Sequence, residues 1–146
     1  MTIVNDALYG WLDLLFLKTA FGGGFLIDAG TVTDFYISGH TADPAPFGTN
    51  QTQFEATYTG YGRAAIPRDG TGWVRNLATT RNAAAFDLGQ NTGGTTEVLT
   101  FLGIGTVISG AGYMFNSWRL QEPIVVIPGF TPQWLQQEVA VLIVGF

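Results

Sequence analysis

The sequence predicts a mainly β protein, a single-domain β-sandwich or jelly roll carrying one N-terminal amphipathic helix. Three observations predict it. Threonine, which suits a pleated strand, occurs 18 times against 3 serines. The chain holds 20 glycines, the residue that punctuates short elements. Beyond residue 25, short apolar or alternating runs are separated by Gly, Pro, Asn and Asp, the spacing of an all-β domain. A chain of 146 residues suits one hydrophobic core, so residues 1–146 are read as one domain, with the helix in 1–22 and the sandwich in 25–146.

The helix is placed at 5–21. Asn5 is its N-cap and Asp6 an acid in the first turn. Leu8, Trp11, Leu12, Leu15 and Phe16 recur on one face at helical spacing. Lys18 falls in the last turn, where a cation suits the helix dipole, and Gly22, Gly23 and Gly24 stop the helix. Leu14 and Leu17 lie off that stripe, so the helix is apolar around most of its girth. Such a helix is buried on several sides. In a domain this small, a second subunit is the natural further surface, and a homo-oligomer is expected.

Strands are expected at 35–38, 61–66, 84–88, 98–102, 113–120, 124–127 and 135–144. Residues 41–53 read as a loop, and 69–72 and 90–94 as turns rich in Asp, Asn and Gly. The run 139–144 is the most apolar and is expected to be central. There is no internal repeat.

Composition narrows the function. Charged residues are 12% of the chain, against about 25% in a typical soluble domain. Either partners cover much of the surface, or uncharged polar residues do. The net charge is −5, with five arginines and the single Lys18. Phosphate neutralisation needs clustered cations, so neither nucleic acid nor an anionic membrane surface is an expected partner. With no cysteine there is no disulfide, thiolate or Cys-based metal site, and one histidine cannot build a multi-histidine zinc site. No cofactor or metal is expected. The run 7–17 has no basic flank and contains Asp13, so it reads as helix rather than signal peptide. No stretch of about 20 apolar residues is present to span a membrane.

Each candidate for chemistry has a plainer reading beside it. Residues 21–25 are glycine-rich but lack the following Gly-Lys-Ser/Thr of a phosphate loop, and read as a helix stop. Residues 60–65 fit a relaxed dinucleotide fingerprint, but Pro67 and Asp69-Gly70 follow where a helix should open. His40 near Asp43 offers a base and its orienter. Ser38 is too near in sequence to imply a triad, and a histidine bonded to a local backbone or carboxylate group is the default. The eleven acids are scattered, with no calcium-loop ladder. Four Trp, eleven Phe and five Tyr are enough for a sugar-stacking platform, but core or subunit interface accounts for them better. No enzyme is expected.

Two motifs stand in order. Gly39-His40-Thr41-Ala42-Asp43-Pro44 forms a strand exit, in which Asp43 can cap the turn and Pro44 keeps its predecessor extended. Gly60-Tyr61-Gly62-Arg63-Ala64 follows after a polar loop. With the N-terminal helix and the apolar C-terminal strand, this layout resembles a family of small virion proteins of tailed bacteriophages. Some of these are labelled tail-fibre-like, and others look like capsid decoration, or cement, proteins. The resemblance covers nearly the whole chain. It departs at Ser38-Gly39, where the family has an apolar residue before the histidine, at 108–112, where an aspartate turn is replaced, and at 120–134, which is enlarged.

The resemblance implies structural roles for His40, Thr41, Asp43, Pro44, Tyr61, Gly62 and Arg63. It implies a capsid decoration protein on the virion surface, made in the bacterial host cytoplasm, that binds and stabilises the coat-protein shell. The implied partners are the major capsid protein and further copies of the chain, as a homotrimer. The alternative is a tail-fibre or receptor-binding module, one that binds carbohydrate. Contacts to a subunit or the shell are expected at Trp11, Leu14 and Leu17 of the helix and at the loop aromatics Phe47, Phe130 and Trp134.

Overall fold

The computed structural model describes Phe16 and residues 33–44, 50–76 and 79–142. The expected helix lies outside the described residues, apart from Phe16, whose backbone is helical. The described chain is mainly β: β1 (Asp34–His40), β2 (Ala64–Pro67), β3 (Trp73–Asn76), β4 (Thr79–Asn82), β5 (Phe86–Asp87), β6 (Glu97–Gly105), β7 (Met114–Val126), β8 (Gln133–Trp134) and β9 (Ala140–Leu142). They form three sheets, in the orders β2-β1-β6-β7, β3-β4-β9 and β5-β8. The sequence reading treats 25–146 as one sandwich. The contacts divide into two compact units, Asp34–Ala65 with Phe86–Gln133, and Met1–Thr33 with Ile66–Ala85 and Trp134–Phe146.

The first of these units is built on the antiparallel β1–β6 and β6–β7 pairings. β1 runs from Tyr36 opposite Gly105 to His40 opposite Phe101. Strand residues alternate between faces, and the two faces of this sheet differ. Phe35, Ile37, Leu99, Leu102 and Ile104 are buried apolar residues, joined by Leu88, Tyr58 and Val126. The opposite face carries Ser38 against Gly103, His40 against Phe101 and Tyr36 against Gly105. Bare glycines there let other segments press onto the sheet. A Cβ on Gly105 would overlap the Gln51 amide.

The sequence reading breaks β7 in two, at 113–120 and 124–127. It is instead one strand, interrupted by a shift of register between Leu99 and Phe101. Leu99 faces Ile124 and Phe101 faces Arg119, so residues 120–123 lie opposite Thr100 alone. Pro123 has no N–H for a ladder, and a bulge is where a strand tolerates it. The enlarged 120–134 loop is therefore largely strand, with a short turn at 128–129.

The other unit holds β3-β4-β9, with Trp73 opposite Asn82 and Thr80 opposite Val141. Its buried apolar residues are Phe16, Ile66, Trp73, Trp134, Val139 and Val141. Phe16 meets Trp73 edge-on, with ring centroids 4.6 Å apart. Asn82 is fully buried and acts as a hub. Its amide donates to the Ala84 and Leu135 carbonyls, both at 2.8 Å, and its oxygen accepts from Val139 N–H at 2.9 Å. The expected turn at 69–72 is present, with Asp69 Oδ1 accepting from Thr71 N–H at 2.8 Å. β9 is terminal in the order of the described strands rather than central.

Candidate functional site

The bare face of β1–β6 collects both sequence motifs. His40 ends β1 with its ring fully buried. Its Nδ1 lies 2.8 Å from the Gln53 carbonyl oxygen, and its Nε2 lies 2.8 Å from Ser38 Oγ. A carbonyl only accepts, so Nδ1 carries the hydrogen and Nε2 of the neutral ring accepts from the serine hydroxyl. Burial lowers the His40 pKa from its ordinary value; the Gln53 bond and Glu55 oppose the shift, and Arg63 adds to it. Thr41 continues the exit: its N–H donates to Phe54 O at 2.8 Å, and Ala56 N–H returns a bond to Gly39 O at 2.9 Å.

The second motif completes the arrangement through Glu55. Arg63 Nε and its Nη2 donate to the two oxygens of Glu55 at 2.6 and 2.7 Å, a forked ion pair. Nη1 and Nη2 also donate to the carbonyls of Val107 and Gly110, both at 2.8 Å. Tyr61 Oη donates to Glu55 Oε1 at 2.7 Å and accepts from Gly39 N–H at 3.1 Å. Burial works against the Arg63 charge, but the Glu55 bonds and charge outweigh it and raise its pKa. Burial and then the Glu55 carboxylate push the Tyr61 pKa up strongly. Gln51 is fully buried on Gly105, donating to Tyr36 O at 3.4 Å and accepting from Val107 N–H at 3.1 Å. One network thus ties β1, the 50–56 segment, the 58–63 segment and the 106–111 loop.

This arrangement is a clamp in its chemistry. The Ser38–His40 contact has the length of a nucleophile–base bond, yet both side chains are 0% exposed. A nucleophile needs a route to substrate, and the orienting partner here is a neutral carbonyl rather than a carboxylate. A recess of about 240 Å3 opens beside the ion pair, lined by Glu55, Tyr61, Arg63, Ile108, Ser109 and Gly110. Among the described residues, no group of three or more His, Asp or Glu could hold a metal ion. No helix among them is long and apolar enough to cross a membrane.

A second feature lies on β6, β7 and the turn after β7 in the same unit. Val98 and Val125 are register partners, 40% and 52% exposed. Ile127 and Phe130 follow, at 51% and 42%. The turn bearing them is held by buried Asn91, whose amide donates to Val126 O at 3.1 Å and Thr95 O at 2.7 Å. Asn91 N–H also donates to Phe130 O at 2.9 Å, and Gly129 N–H donates to Asn91 O at 2.7 Å.

The motif residues His40, Thr41, Tyr61 and Arg63 thus meet in one network. Gly62 bonds Leu88 O at 3.0 Å through its N–H. Asp43 is half-buried and Pro44 buried at the strand exit. Of the expected interface residues, Trp11, Leu14, Leu17 and Phe47 lie outside the described residues. Phe130 is exposed, while Trp134 is 8% exposed and belongs to the core of its unit. Gln51, Gln53 and Glu55 are the members that sequence reasoning missed, while Ser38 is weighed there only as a triad member. A signal existed for two of them. A low-charge chain that buries an arginine must supply it a carboxylate, and glycines at 103 and 105 mark a strand face reserved for another segment. No family model matches the chain, and no curated protein does.

Proposed function

We propose that the protein is a bacteriophage virion structural protein, a capsid decoration protein that binds and stabilises the coat shell. Its complete fold in this reading is a sandwich or jelly roll with the N-terminal helix packed against a neighbouring copy in a trimer. The observation that carries the reading is the convergence of the two motifs. Of the residues that the virion-protein resemblance makes structural, His40, Thr41, Tyr61 and Arg63 serve one buried clamp, and their bonds there hold loops.

The mechanism is burial of apolar area without covalent chemistry. Each apolar Å2 removed from water contributes about 25 cal/mol, and a lattice multiplies modest contacts by avidity. Val98 and Val125 on paired strands, and Ile127 and Phe130 on a turn already fixed by Asn91, offer exposed apolar side chains, so ordering them on binding costs little. The decisive measurement is copy number per virion by gel densitometry of purified particles. Hundreds of copies are expected. A handful would sink the decoration reading and favour a tail-fibre or receptor-binding module. Light scattering of the free protein should give the mass of a trimer; a stable monomer at micromolar concentration would remove the oligomer.

A further inference from the structure

We propose that His40 is a proton-operated latch that pins the 50–56 segment to β1 at neutral pH and releases it in mild acid. The inference depends on the geometry of the clamp and not on the virion reading.

The ring joins the end of β1 to the segment that pairs with it through the antiparallel His40–Glu55 bridge. Nδ1 holds Gln53 O, and the surrounding backbone bonds Thr41 N–H to Phe54 O and Ala56 N–H to Gly39 O close on either side. Protonation adds a hydrogen at Nε2. That nitrogen then no longer accepts from Ser38, whose hydroxyl must rotate and give up its acceptor. The result is a cation at a site with no exposure to water.

The surroundings do not neutralise it. The charged groups that act on the ring are Glu55 of the 50–56 segment and Arg63 of the 58–63 segment, with Tyr61 bonded to the same Glu55. Glu55 is already held on both oxygens by Arg63 and on one by Tyr61. Arg63 repels a second cation. From β6 come Phe101, the register partner of His40, and Gly103, and from β7 Met114, none of which titrates; the charged residue of β7 in line with them is Arg119, opposite Phe101, and it is exposed. The space a Gly103 Cβ would fill lies 2.8 Å from Nε2. The cheapest response is to let water in by lifting the segment off the sheet. That would also loosen the 106–111 loop, which Gln51 holds through Ala111 O and Val107 N–H.

The sign follows from linkage. A ring that is harder to protonate when pinned stabilises the pinned state fully above the ordinary histidine value of about 6.5. That stabilisation is lost as pH falls below it. The closed-to-open ratio falls about tenfold for each pKa unit that separates the pinned from the released ring.

The test uses the full-length protein. Amide exchange protection factors, corrected for the intrinsic pH dependence, are compared between about pH 7.5 and about pH 5, a range in which histidine is the side chain that ordinarily changes charge. Thr41 and Ala56 should lose at least about tenfold in protection, while Leu102 and Ile104 of β6 keep theirs. His40 is the only histidine, so its imidazole NMR signals titrate without ambiguity and should move together with that loss. In His40→Gln, a neutral side chain without a proton to gain, the loss should vanish. Unchanged protection at Thr41 and Ala56 would overturn the latch, as would equal loss across β6, or the same loss in His40→Gln. If His40→Gln does not fold, the wild-type exchange and NMR titration decide alone.

Discussion

At the scale of single residues, the clamp turns on Arg63. Its guanidinium is planar and forked, and it reaches one carboxylate and two carbonyls at once. Lysine has a point charge with rotatable donors and cannot match that fork. Arg63→Lys should therefore destabilise the fold by about 2 kcal/mol, the scale of hydrogen bonds to charged groups, as read from urea unfolding. A loss below the error of such curves would mean that the pair is solvent-screened and incidental. Gly105 supports the same site from beneath. Gly105→Ala drives a methyl into the Gln51 amide, and overpacking of this kind costs about 1–3 kcal/mol. Gln51→Ala in that background should recover part of the loss, because the colliding side chain is gone; no recovery would mean that the strain lies elsewhere. Arg63 and His40 stood out in the sequence through their motifs. Glu55 did not, because turn and irregular chain joins it to Arg63, and no helix or strand period runs through that stretch to pair them.

At the scale of elements, the strands that could be read were those with a strong apolar pattern. β1 and β6 bury Phe35, Ile37, Leu99, Leu102 and Ile104, and their runs announce it. β3 and β4 were missed because Arg75, Asn76, Arg81 and Asn82 make them look like loop. Their pairing depends on Trp73 and on the buried Asn82 hub instead. β7 was split for the opposite reason: Glu122-Pro123 reads as a break, and only the register shift against β6 shows how a strand absorbs it. Turns held by a buried amide are equally hard to read, since one asparagine looks like another. Asn91→Ala removes two donated bonds, to Thr95 O and Val126 O, and one accepted from Gly93 N–H. Buried groups left unpaired cost about 1–3 kcal/mol. The expected result is that loss in thermal unfolding, with faster amide exchange at Gly129 and Phe130, whose turn is tied to the Asn91 backbone. If exchange at those two amides stays unchanged, Asn91 does not organise the turn.

At the scale of the whole molecule, two aromatic residues that look alike in the sequence separate into different environments. Phe130 and Trp134 both sit in a Pro- and Gly-rich stretch, and both were expected to anchor a partner. Their exposure differs, 42% against 8%, and burial decides what truncation removes. Trp134 belongs to the buried set that includes Trp73, Val139 and Val141. Trp134→Ala should cost about 3–5 kcal/mol of folding stability, the range for deleting a buried aromatic ring. That lowers the melting temperature of the unassembled protein by several degrees or more per kcal/mol lost. Phe130 lies on a fixed turn beside exposed Ile127, and the Val98–Val125 pair extends the apolar surface. Phe130→Ala should leave the melting temperature within a degree or two, because exposed substitutions change stability by about 0.5 kcal/mol or less. If the patch is what the shell or a neighbouring copy covers, the same substitution weakens association by at least about 2 kcal/mol, roughly thirtyfold in dissociation constant. Calorimetry of each variant, paired with light scattering and, for the proposed decoration role, with binding to coat shells, reads both quantities. A Phe130→Ala variant that melts early yet associates normally would remove the patch from the interface and return its energy to the fold.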